Sequence, residues 1–120
     1  MAIGELGDVE DWEVFAPNAV RVMADYQASP IWPGSAQTRD SVTLSESLST
    51  RLRDWGDEYT DKNLGGMWEP GEQVAWVERG RVLATEVRRE IPSPAIRVYY
   101  LVYAPDEDGE SEWVELVEIA

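Results

Sequence analysis

The chain has no histidine and no cysteine. The commonest general base, the commonest neutral metal ligand and every thiol nucleophile are therefore missing. A serine could attack only with some other base, and nothing in the sequence positions the single lysine, Lys62, for that role. Ser45 and Ser47 fall where a helix begins, a place where serine serves as a cap. Carboxylates remain, and in principle they can work as acid and base or hold Mg²⁺ or Ca²⁺. The densest run is Asp106-Glu107-Asp108-Gly109-Glu110. It shares acids and a glycine with a calcium loop but lacks the loop spacing and the closing glutamate, so it reads as a solvated turn. Gly65-Gly66 lacks the lysine and hydroxyl residue of a phosphate loop. No residue is assigned to catalysis, a cofactor or a metal, and the chain is expected not to be an enzyme.

Charge says more. The 24 acidic and 10 basic residues leave a formal net charge of −14. Glu5, Asp8, Glu10, Asp11 and Glu13 crowd the start, and Asp106, Glu107, Asp108, Glu110, Glu112, Glu115 and Glu118 crowd the end. Neither segment contains a basic residue, so the middle, 14–103, is close to balanced. A field of this sign repels nucleic acid and anionic membrane and draws in basic proteins. It also keeps a protein soluble, which is its ordinary use. The expected partner is a basic protein, with no direct nucleic-acid or membrane binding. Residues Met1 to Gly7 have no basic residue and no apolar run, unlike a signal peptide. Together with the missing cysteines, this predicts a cytoplasmic location.

The elements that would position any site follow from spacing. A length of 120 residues suits one domain. Residues 1–11, rich in Gly and acid, read as a flexible leader, and 12–120 as a single α+β domain. Trp12 to Val14 suggests a short edge strand. Val20, Val22 and Ala24 alternate with Arg21, Met23 and Asp25, the pattern of a half-buried strand. The prolines and glycine of 30–34 predict a loop, and 35–42 reads as exposed and polar. Leu44, Leu48, Leu52, Trp55 and Tyr59 trace one face of a helix, with Thr43 and Glu46 spaced as a capping box. Gly56 weakens that helix, and Asn63 to Gly66 end it.

A second helix is predicted over 72–91, its stripe formed by Trp76, Gly80, Leu83, Val87 and Ile91. Gly80 within the stripe implies a close backbone approach. Arg88 and Arg89 suit the negative end of the helix dipole, and Pro92 and Pro94 stop the helix. Residues 96–103 read as a central strand, apolar on both faces except at Arg97, with 113–119 antiparallel to it across an acidic turn. The predicted fold is α+β in the order β-α-α-β-β: a sheet of three to four strands with two amphipathic helices on one face. If the first and central strands are parallel neighbours, the helical pair is their crossover.

From Val20 to about Tyr100 the chain resembles a family of small, mostly uncharacterised actinobacterial proteins. The residues that carry this are Val22 to Tyr26, Ser29 to Trp32, Leu44 to Leu48 with Leu52, Trp55 and Tyr59, and Trp76 to Ile91 with Gly80 to Ala84. In being short, acidic and catalytically bare it is similar in type to immunity proteins of bacterial toxin systems, which cover a toxin's active site. That analogy implies a non-catalytic inhibitor of a basic toxin or nuclease. Two alternatives are a DNA-mimic-like phage or host modulator of a defence or replication complex, and a small carboxylate-dependent metal enzyme. The expected partner-binding residues are Asp25, Tyr26, Trp32, Asp54, Asp57, Glu58, Asp61 and Trp68, set against the ordinary reading of the aromatics as core.

Overall fold

A computed structural model describes residues 16–120 apart from 27, 65 and 106–110. The expected leader 1–11, the strand at Trp12 and most of the acidic turn lie outside the described residues. Within them run β1 (Ala19–Val22), β2 (Ile31–Pro33), α1 (Ala36–Ser41), α2 (Glu46–Leu64), α3 (Glu72–Glu90), β3 (Arg97–Pro105) and β4 (Ser111–Ile119). The strands form one mixed sheet in the order β2-β1-β3-β4. β1 and β3 are parallel, with Ala19 opposite Arg97 and Val22 opposite Tyr100. The two outer pairs are antiparallel, and β3–β4 carries a register shift at Val102/Tyr103. The α+β class, the central β3 and the helices as the connection between parallel strands all match the reading of the sequence.

Two short elements were not expected. Residues 31–33, read as loop, form the edge strand β2. Pro33 is tolerated there because an edge strand leaves one side of its backbone without ladder partners. Residues 35–42, read as exposed polar chain, contain α1. Ser35 caps it, its Oγ accepting from the Thr38 N–H at 3.1 Å. Thr38 is buried and its hydroxyl donates to the Pro17 carbonyl. Most of 35–42 is exposed, as read from the sequence; the helix within it is what was not expected.

The helices pack on one sheet face. Val20, Val22, Ala24, Val98, Tyr100 and Val102 meet Leu48, Leu52, Trp55, Tyr59, Trp76, Leu83, Ala84 and Val87 in a single cluster. A second cluster on the opposite face joins Ala19, Met23, Tyr99 and Leu101, with Ala16 and Trp32 against it. The second face of β1 is therefore partly covered, because Ala19 and, just past the strand, Met23 are buried there while Arg21 stays half-exposed.

The cap of α2 falls on Ser45, one of the two serines read as capping, and not on the expected Thr43/Glu46 box. The helix starts at Glu46, and Ser45 caps it by accepting from the Leu48 N–H at 3.2 Å. The carboxylate that completes the box comes from Glu90 at the far end of α3: it accepts from the Ser45 N–H at 2.6 Å and from the hydroxyl at 2.8 Å. Thr43 has no part in it. A tertiary neighbour supplies what the local Thr43/Glu46 spacing only imitated. At the same end of α3, Arg88 donates to the carbonyls of Ile91, Ser93 and Ile96, which turns the chain from helix into β3.

Gly56 is buried without being cramped. A Cβ built there would meet only the Pro30 ring, at ordinary van der Waals distances of 3.7 Å and above. Gly56→Ala should therefore recover the helix propensity that glycine forfeits, about 0.5–1 kcal/mol. Thermal unfolding should show a midpoint several degrees higher; a lower midpoint would mean that a methyl group does not fit against the Pro30 ring.

Candidate functional site

α2 and α3 run side by side as an antiparallel hairpin, and among the described residues this pair carries most of the charged side chains. Each buries its apolar stripe on the sheet. Where they meet, Trp55 and Trp76 stack at 4.5 Å between ring centroids with planes 6° apart. Each indole N–H donates to the other residue's carbonyl, Trp55 Nε1 to Trp76 O at 3.0 Å and Trp76 Nε1 to Trp55 O at 2.9 Å. The Tyr100 hydroxyl donates to Val77 O at 2.7 Å from the sheet below. Both tryptophans are thus buried with their polar atoms paired, and the hairpin is locked in register to β3.

Above that seam lies a row of opposite charges. Arg51 meets Glu86 at 2.6 Å, Glu58 meets Arg79 at 2.7 Å, and Lys62 meets Glu72 at 2.9 Å. Sequence reading passed over Arg51, Arg79 and Glu86. The available signal was the seven-residue spacing of Arg51 and Glu58 against Glu72, Arg79 and Glu86, with signs that complement when the helices run antiparallel.

The Lys62–Glu72 pair has a defined pH window. Glu72 is held below the ordinary carboxylate value, first by the Glu69 backbone N–H and next by Lys62. Lys62 is raised, chiefly by its bond to Glu72. A lowered acid stabilises the fold above its unfolded value and loses that effect as pH falls through the folded one. A raised base stabilises below its unfolded value and loses that effect as pH rises through the folded one. The pair therefore acts from above the carboxylate range to below the amine range. Lys62→Met should lower the unfolding midpoint slightly at neutral pH, with the difference from wild type fading as pH falls through the lowered Glu72 value. A difference independent of pH would assign the loss to packing of the lysine stem.

Two open grooves flank α2. One, of about 410 Å³, lies between the helices and is lined by Arg51, Asp54, Trp55, Glu58, Arg79, Val82, Leu83 and Glu86. The other, of about 570 Å³, lies between α2 and the β1–β2 loop, with Pro30, Ile31, Leu44 and Leu52 as its apolar wall and Arg53 and Asp57 at its edge.

The expected partner-binding residues divide into two groups. Asp54, Asp57 and Asp61 are exposed on α2, and Glu58 lies on the same stripe, engaged by Arg79. The aromatics are half-buried, and each is held in place. Tyr26 packs on Tyr59 at 5.2 Å, and Asp25 accepts from the Tyr26 N–H. Trp68 tilts onto Trp76 at 5.5 Å and donates to Asn63 Oδ1. Trp32 sits on the opposite sheet face, donating to Met23 O with the Arg21 guanidinium 5.5 Å from its ring centroid. The fold thus gathers the four α2 acids on one surface, keeps Tyr26 and Trp68 at the edge of the helical layer, and separates Trp32 from both. Among the described residues no three carboxylates converge as a metal site, and no helix is long and apolar enough to cross a membrane.

The Serratia CdiI immunity protein-like family model matches residues 18–103. The chain belongs to that family. The span matched to the CdiI immunity-like family runs from the residue before β1 into β3, so it includes the helical hairpin and both grooves, while β4 lies beyond it. No curated protein matches this CdiI immunity-like chain at a significant level.

Proposed function

We propose that this chain is the immunity component of a toxin system: a non-catalytic, stoichiometric inhibitor that binds a basic toxin through the exposed α2 side of its helical hairpin. Membership of the CdiI immunity-like family is the observation that carries this reading. The exposed acids Asp54, Asp57 and Asp61 on a rigid helix, under a net charge of −14, support a cationic partner surface. Such a surface speeds encounter and disfavours acidic competitors more than it deepens affinity. A helix pinned by paired tryptophans presents these acids with little ordering cost on binding.

The proposal requires a toxic domain encoded beside this chain's gene, and the test uses that domain. Co-expression should restore growth of a bacterial host producing that domain, and the purified proteins should form a one-to-one complex. Association should slow by about tenfold or more between about 0.05 and 0.5 M salt, as charges beyond a Debye length are screened. Failure of the two proteins to associate would overturn the immunity reading; association at a salt-independent rate would overturn only the basic character of the partner.

A further inference from the structure

The inter-helix groove has a composition that the general acidity of the chain does not explain. Its floor is apolar, made by Trp55 and Leu83, and Val82 stands at its edge with 61% of its surface exposed. Two ion pairs close its ends, Arg51–Glu86 and Glu58–Arg79, each internally neutral. Asp54 lies between Arg51 and Glu58 along α2, and Val82 lies between Arg79 and Glu86 along α3. Because the helices are antiparallel, this brings Asp54 and Val82 to the same level of the groove. Among the described residues the Asp54 carboxylate takes no hydrogen bond and no ion pair, although it lines a groove that contains two guanidinium groups. Both guanidinium groups are occupied by their own carboxylates.

We infer that this notch is a socket for one lysine or arginine side chain of the toxin, its methylene stem lying on Val82, Leu83 and Trp55 and its cationic head meeting Asp54. The inference rests on the immunity reading and names the contact that reading lacks. An aliphatic stem with a charged tip matches an apolar floor with one uncompensated carboxylate at the rim. A wholly apolar side chain would bring Asp54 into contact with hydrocarbon without a partner, and an acidic one would face a net negative wall. The bracketing ion pairs fix the width of the notch and keep its own arginines from filling it. Such an anchored, partly desolvated pair is the type of contact that dominates an interface.

The test measures binding of a catalytically inactive form of the neighbouring gene's toxic domain to the full chain and its variants. Asp54→Asn should weaken binding about tenfold and Asp54→Lys about a hundredfold or more, chiefly by faster dissociation. Asp40→Asn, which changes the net charge as Asp54→Asn does but sits on α1, should change affinity less than about twofold. Unfolding midpoints establish that the variants are folded. A toxin lysine or arginine changed to glutamate should bind Asp54→Lys better than it binds wild type, the swap that only a direct pair produces. Unchanged affinity for Asp54→Asn and Asp54→Lys in an intact complex overturns the socket and leaves the immunity reading standing. Loss of affinity on Val82→Ala but not on Asp54→Asn assigns the notch to an apolar side chain and overturns the cation. A self-associating chain that Asp54→Lys renders monomeric assigns it to a second copy. Absence of any complex with wild type removes both readings together.

Discussion

Trp76→Ala is expected to leave the chain barely folded. The residue is 1% exposed, is stacked on Trp55 and Tyr59, and has Trp68 tilted against it. Truncating a fully buried tryptophan costs about 3–5 kcal/mol through lost transfer energy and the cavity left behind. The substitution also removes one of the two reciprocal indole–carbonyl bonds, although the Trp55 N–H keeps its acceptor because that acceptor is backbone. A domain of this size has roughly 5–15 kcal/mol in total, so about a fifth or more of its stability goes with one side chain. Urea unfolding should show the midpoint falling by about 1.5–3 M with the slope unchanged. Trp76→Phe retains much of the stack and loses the donor, and should cost about 1–3 kcal/mol. If Trp76→Ala moved the midpoint by less than about 0.5 M, the tryptophan stack would not be the centre of this core.

The second large effect is expected at Gly80, where alanine, normally the better helix former, should be harmful. A Cβ on Gly80 would lie 2.2 Å from the Tyr100 hydroxyl and 2.4 Å from Cζ2 of Trp55. Neither neighbour can withdraw freely. The hydroxyl is bonded to Val77 O, and Trp55 is held between the Trp76 ring and its carbonyl. Overpacking of this kind costs about 1–3 kcal/mol, more than the ~1 kcal/mol that alanine adds to an open helix position. Gly80→Ala should therefore lower the melting midpoint by roughly 5–10 °C. Tyr100→Phe removes the nearest obstructing atom, so the double variant should be clearly more stable than the sum of the two single losses. A melting midpoint raised by Gly80→Ala would show that Tyr100 and Trp55 can yield room for a methyl group on α3. The opposite signs expected at Gly56 and Gly80 separate a glycine tolerated by its surroundings from one demanded by them.

Much of this fold was legible because its long elements have strong periods. The stripe from Leu48 to Tyr59 and the stripe from Trp76 to Val87 are the residues buried against the sheet. The apolar run of β3 is buried on both faces, as a strand between two neighbours must be. The position of Gly80 in a stripe of large residues already implied a close approach. The short elements were not legible. A three-residue edge strand has too few residues for alternation to register, and α1 depends on Ser35 and Thr38 bonding to Pro17, a residue far back in the chain. The capping box of α2 was misplaced for the same reason, since its carboxylate is contributed by Glu90.

The candidate site divides in the same way. The acids of α2 could be assigned to one exposed face from helical spacing alone, and the structure puts them there. The aromatics could not be placed, because a half-buried tryptophan has the same sequence signature whether it lines a sheet face, as Trp32 does, or covers a helix stack, as Trp68 does. By itself the sequence determined the chemistry that is missing, the charge, the two amphipathic helices and the buried strand, all of them consequences of residue type and local repeat. Only tertiary structure decided which charges are neutralised and which are left over. Asp54 and Glu58 are both carboxylates one turn apart on the same helix, and they differ because α3 brings Arg79 to one and Val82 to the groove beside the other. Coulomb attraction and desolvation act over a few ångströms of space, and distance along the chain does not report that separation.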